Sequence, residues 1–178
     1  MVPKIDAEIK GAVEAHLTRF LGHDSIVWHE IISDLVHIDV YKFDPTPQRP
    51  YYTLVTSGMS DRPMTVPEKL EEMQRAELLI CLPPDWPLGK AGESTSEGDL
   101  GDFNNYWPIH MLKYLARMPH EYRTWLGWGH SIPNGEPPAA FADTNFVGSV
   151  VGPVVTLPDE FVKLDVGDST VWLSLIHI

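Results

Sequence analysis

His37 and Asp39 are the first residues in this chain whose types and spacing could do chemistry. Two apart on an extended segment, they share a face, and His29-Glu30 lies close upstream. An imidazole beside a carboxylate is the beginning of a metal site or a general-base pair, so one reading is a metal-dependent hydrolase using His37 and Asp39, with His130 as a further contributor. A metal needs three or four converging ligands, and no His-x-x-x-His spacing or cysteine pair supplies them. The simpler reading makes His37 and Asp39 hydrogen-bonded polar groups on a half-exposed sheet face. Ser57, in Thr56-Ser57-Gly58-Met59-Ser60, lacks the Gly-x-Ser-x-Gly frame of a nucleophile elbow. Ser60 and Asp61 are expected instead to hydrogen-bond the turn backbone that Gly58 permits. Neither a Gly-x-Gly-x-x-Gly pattern nor a phosphate-binding loop is present. On these residues we assign no catalytic group, no cofactor and no metal.

The tryptophans offer binding rather than catalysis, because each can bury a large ring while presenting one N–H. Trp86 and Trp107 read as core. Trp125, Trp128 and His130 lie among glycines that would let a partner approach, and with Asp61 they form the candidate partner-binding set. Pro133, Pro137 and Pro138 would stiffen the adjoining loop and reduce the ordering cost of binding.

Stepping from these residues to the chain that must position them, 178 residues suit one domain around one core. With 13 basic against 25 acidic residues the formal charge is −12, which repels a phosphate backbone and disfavours nucleic-acid binding. The same charge could steer a basic protein partner or serve solubility alone. No apolar run is long enough to cross a bilayer, so no membrane association is expected. Met1-Val2-Pro3-Lys4-Ile5-Asp6 lacks the features of a secretory signal, and a cytoplasmic location is expected. The single cysteine, Cys81, sits between Ile80 and Leu82 and reads as a small core hydrophobe.

The apolar stripe Ile5, Ile9, Val13, Leu17, Leu21 predicts a helix over 4–22 with Gly22 as its stop. Alternation predicts a strand over 35–43, then a proline-rich loop, a strand at 51–57 and the turn at Gly58. A short helical piece at 67–74, a strand at 76–82 and a glycine-rich mobile surface loop at 88–105 follow. Pro108 is expected to open a second helix that ends before Pro119. A Gly/Pro turn at 133–138, an apolar segment at 146–155 and a last strand at 169–176 complete the chain. Strands and helices do not alternate regularly, so the expected fold is α+β: one domain with a mixed, largely antiparallel sheet covered by two longer helices.

Six blocks in order carry a resemblance to the suppressor of fused family: His37-Ile38-Asp39-Val40, Tyr52 to Asp61, Ala76 to Trp86, Trp107-Pro108 with Leu112 and Leu115-Ala116-Arg117, Trp125 to Gly135, and Val171-Trp172-Leu173. The compact length resembles the bacterial branch. That resemblance implies protein binding without catalysis. Animal relatives clasp a peptide of a transcription factor between two domains, only the first of which this chain resembles, which argues against clasping of that kind; a regulatory scaffold that binds an extended peptide at a sheet edge is the related alternative. Bacterial relatives imply another, an immunity or antitoxin-type protein that neutralises a toxin, with a basic toxin domain as partner. The last letters, Leu173-Ser174-Leu175-Ile176-His177-Ile178, read equally as native strand or as foreign translated sequence over a truncated C-terminus.

Overall fold

The computed structural model of the chain describes residues 4–24, 26–30, 35–88 and 103–178. Helix α1 spans Lys4–Leu21. It stops at Gly22, whose N–H donates back to the Thr18 carbonyl at 3.0 Å, as its position after the apolar stripe predicts. The strands are β1 (Ile26–Trp28), β2 (Asp39–Phe43), β3 (Tyr52–Ser57), β4 (Ala76–Leu82), β5 (Ser131–Pro133), β6 (Gly148–Pro153), β7 (Lys163–Val166) and β8 (Ser169–His177). Helix α2 is Phe103–Tyr122, and a single turn, α3, is Asp159–Val162.

The strands form one sheet in the order β1-β2-β3-β4-β8-β6-β5, with β7 also pairing β8. Every ladder is antiparallel except that between β4 and β8, where Ala76 lies opposite Trp172 and Leu79 opposite Leu175. The fold is thus α+β, mixed and mostly antiparallel, as expected.

Alternate residues of the same strands point to opposite faces. Val55, Leu79, Leu173 and Leu175 pack with Ile9, Val13 and Leu17 of α1 and Phe161 of α3. Their neighbours Leu54, Leu78, Ile80 and Ile176 pack with Trp107, Met111, Leu112 and Leu115 of α2. Two helices therefore cover the two sides of one sheet, which is why β4 and β8 read as nearly continuous apolar runs.

Three expectations are corrected. The strand predicted over 35–43 pairs only from Asp39, because the Ile38 N–H is taken at 2.9 Å by the Glu30 carboxylate rather than by a neighbouring strand. Helix α2 begins at Phe103, not Pro108, and continues through Pro119. Each internal proline removes a backbone bond at a cost of about 3 kcal/mol. Burial of Trp107, Ile109, Leu112, Leu115 and Ala116 on the sheet outweighs it. Cys81 is half-buried rather than core, with its sulfur 4.0 Å from the Thr156 hydroxyl, and burial pushes its thiol pKa up. The loop expected at 88–105 lies, for residues 89–102, outside the described residues; Leu88 is buried and Phe103 to Asn105 are helical.

Candidate functional site

His37 and His29 do converge with Asp39, at the α1 side of β2. The ring nitrogens His29 Nδ1 and His37 Nε2 each lie 3.2 Å from the same oxygen, Asp39 Oδ1. That oxygen also accepts the Glu30 N–H at 3.2 Å, while Oδ2 takes the Lys10 ammonium of α1 at 2.9 Å. Burial alone would lower the Lys10 pKa, but the bond to Asp39 and the charges of Asp39, Asp61 and Glu14 outweigh it and hold it above its ordinary value. The Asp39 side chain is only 3% exposed, so its carboxylate is spent on these donors. Glu30 in turn binds the Ile38 N–H and forms an ion pair with Arg117 of α2. The cluster ties α1, β2 and α2 around one corner of the sheet. His130 stands at the other end of the strand order, just before β5, its ring edge-on to Trp125 at 4.4 Å. It does not join His37 and Asp39. Ser57 is the direct cross-strand partner of Asp39 but is fully buried, out of reach of any substrate. Among the described residues no group of three or more His, Cys, Asp or Glu is placed to hold a metal ion.

The turn after β3 is organised by a residue that sequence reasoning missed. Glu77 of β4 is fully buried, and its Oε1 accepts the Gly58 N–H at 2.9 Å, the Ser60 N–H at 3.0 Å and the Ser60 hydroxyl at 2.6 Å. Its Oε2 accepts the Thr56 hydroxyl at 2.6 Å, and Thr56 in turn accepts the Leu78 N–H at 2.9 Å. Ser60 thus bonds a carboxylate from the next strand, not the turn backbone as expected. Burial pushes the Glu77 carboxyl above its ordinary range, and the four donors only partly oppose this. The one signal for Glu77 in the sequence was a lone acid inside the apolar run Ala76 to Leu82. Asp61 closes the same turn and faces α1, where its charge acts on Lys10.

From α2, His120 reaches the turn: its Nε2–H donates to the Met59 carbonyl at 3.0 Å. Burial lowers its pKa, the Met59 bond opposes this, and the charges of Arg62 and Arg75 lower it further. A depressed folded-state value means that stability is present above the ordinary imidazole value of 6.5 and is lost as pH falls below it. The unfolding temperature should therefore fall as pH drops below about 6.5. A His120→Gln variant, which keeps a donor without a titration, should show a flatter profile over that range.

The aromatic candidates make a separate place. Trp125, Trp128 and His130 share one loop, whereas Asp61 sits by α1. The space beside Gly127 is filled by Trp125 rather than left open, since a Cβ there would stand 2.4 Å from the indole ring. Trp128, 41% exposed, is the outward member. Its ring lies edge-on to Trp172 of β8 with centroids 5.6 Å apart, and its N–H donates to the Ser174 hydroxyl at 3.2 Å. The Trp172 N–H donates to the Glu72 carbonyl at 2.9 Å, and Lys163 Nζ stands 5.8 Å from that ring's centre. These two indoles wall a groove of about 530 Å³ completed by Pro153, Val155, Leu157 and Lys163. Its origin lies in the sheet. The ladder along one edge of β8 passes from β7, where Lys163 faces Trp172, to β6, where Pro153 faces Ser174. The two strands diverge there, and the chain crossing between them leaves an apolar wedge. The pairing of Trp128 with Trp172, 44 residues apart in the numbering, carried no local signal. Trp107, 1% exposed, is core as expected, and Trp86 packs edge-on to it at 6.1 Å.

No helix among the described residues is long and apolar enough to cross a membrane. No curated protein matches the sequence. Two solved structures share the fold. One is a SUFU (suppressor of fused protein) homologue from Neisseria gonorrhoeae FA 1090, with a TM-score of 0.56 and 14% identity over 94% of this chain and 76% of that one. The other is a chain of the Sufu-Fu complex, with a TM-score of 0.57 and 15% identity over 95% of this chain and 74% of that one. At these identities the likeness is one of fold. The family model for Suppressor of fused protein (SUFU) matches residues 34–178, well over half of the sequence, and the chain therefore belongs to the suppressor of fused family.

Proposed function

We propose that this chain is a non-catalytic protein-binding module, of the immunity type that neutralises a toxin, and that its partner engages the Trp128–Trp172 groove. The observation that carries the reading is that groove: an open apolar wedge with two indoles, one of them exposed, on a rigid sheet. Indole rings in such settings are the residues that dominate protein–protein affinity. Membership of a family that includes a protein solved as the Sufu-Fu complex favours binding over catalysis. The donors around Asp39 favour it too, because they occupy the carboxylate that a hydrolase would need free. A charge of −12 suits a basic partner, whose approach it would accelerate.

The test co-expresses the chain with basic toxin domains and titrates those it captures against it by calorimetry; capture of none would sink the immunity reading. Val155→Asp, at a position 72% exposed, should weaken binding about 30-fold or more while leaving the unfolding temperature unchanged, and Trp128→Ala should weaken it as much with some loss of stability, since it also removes the bond to Ser174. Binding should also slow as salt rises. Full neutralisation by both variants would sink the groove as the site, and an association rate independent of salt would remove the electrostatic steering.

A further inference from the structure

We infer that the solvent-facing side of α2 is a second docking surface, one that takes an acidic protein segment carrying aromatic or aliphatic anchors. Nothing in this depends on the Trp128–Trp172 groove. Along α2 residues that are not fully buried recur at helical spacing: Phe103, Tyr106, His110, Tyr114 and Arg117. Phe103 is 50% exposed and Tyr114 44%, so large apolar surface stands in water on this face.

Two grooves of about 290 Å³ each lie against this stripe and share His110 and Tyr114, which makes them one trough. Its first half is apolar, floored by Trp107 stacked on Phe141 at 5.1 Å and flanked by Met111. Its second half is basic, lined by His29, Lys113 and Arg117, and Glu30 is the one carboxylate in that lining. Glu30 is 10% exposed and ion-paired with Arg117, so these two charges largely offset each other and Lys113 supplies the net charge of that half. Beyond the next turn a further groove of about 230 Å³ is lined by Arg62, Arg123 and His120, with no carboxylate among the described residues that line it.

Four of the chain's 13 basic residues, Lys113, Arg117, Arg62 and Arg123, thus line grooves beside α2, in a molecule whose formal charge is −12. Over a Debye length of about 8 Å these charges act on what binds there more strongly than charges farther away. The occupant they fit is acidic. Juxtaposed aromatic and cationic halves fit a segment that places one large apolar side chain over Trp107 and Phe141 and its carboxylates on Lys113 and Arg117. From Phe103 to Arg117 the helix runs about 21 Å, the span of about six extended residues.

The test is a fluorescence anisotropy titration of the full chain with a labelled probe peptide of about twelve residues, rich in Asp and Glu with two Phe. A matched peptide with Asn and Gln in place of the acids is run beside it. The acidic probe should bind about tenfold or more tightly than the amide probe, and lose that advantage in high salt. Lys113→Glu combined with Tyr114→Ala should abolish the preference while the variant still unfolds in one cooperative transition, whereas Trp128→Ala should leave it intact. Equal binding of the two peptides, or an unchanged preference in the α2 variant, would overturn the inference. So would phosphatidylglycerol vesicles competing in place of the peptide, or self-association of the chain lost in the α2 variant, since either would assign the face to another occupant.

Discussion

Replacing Glu77 with alanine lowers the unfolding free energy by about 3–5 kcal/mol. At this chain length that is a fall of about 6–20 °C in melting temperature. The loss has three parts. The Gly58 and Ser60 N–H groups and the Ser60 and Thr56 hydroxyls lose their acceptor inside the protein, at sites that are fully buried. A cavity opens beneath the turn. The backbone that presents Asp61 and the Met59 carbonyl to α1 and α2 is released. Glu77→Gln separates charge from geometry. Its amide oxygen can keep the three donors of the turn, while its NH₂ group faces the Thr56 oxygen and leaves that hydroxyl without its acceptor, at a cost of about 1–2 kcal/mol. Because burial raises the folded-state pKa of Glu77, its contribution is full below the ordinary value of 4.5 and declines as pH rises through the folded value. The advantage of the native chain over Glu77→Gln should therefore be largest below about pH 4.5 and shrink toward neutral. Denaturant unfolding at several pH values measures both effects. A Glu77→Ala protein as stable as the native one would mean that the carboxylate network does not hold the turn.

Gly58→Ala should cost about 3 kcal/mol or more, a fall of about 6–12 °C. Gly58 has φ of +119°, a conformation that L side chains rarely adopt, and a Cβ there would lie 1.9 Å from the His37 carbonyl oxygen. Neither atom is the end of a flexible side chain, so the turn and the His37–Ile38 backbone must part. That movement reaches Asp39 and the Gly58 N–H that Glu77 accepts. Gly22→Ala is the control, since Gly22 also has positive φ, at +87°, but a Cβ there meets nothing within 4 Å. Its cost should stay at about 1 kcal/mol. Equal losses at the two glycines would show that conformation alone, and not the contact with His37, makes Gly58 necessary.

Much of the frame was legible because the buried strands announce themselves. Residues 76–82 and 169–176 were read as strands from apolar composition, and β4 and β8 occupy Ala76–Leu82 and Ser169–His177. The first helix and its glycine stop followed from a simple stripe. Errors arose where a side chain from elsewhere took over a backbone group. Glu30 claims the Ile38 N–H and delays β2, and sheet burial carries α2 across two prolines. The site followed the same rule. His37 with Asp39 was visible at a spacing of two and His29 close upstream, but Lys10, which completes the cluster, comes from the first helix.

The class of the fold, the strongly acidic charge and the kinship follow from the order of the residues, because composition, periodicity and motif order are properties of the chain alone. Which of those residues meet is set by folding in three dimensions. Glu77 became the acceptor of a turn 17 residues upstream, Trp128 found Trp172, and Arg62 came beside Arg123 at the end of α2. Such meetings depend on strand order and on which face each residue occupies, and one β8 strand that pairs with β4, β6 and β7 sets both.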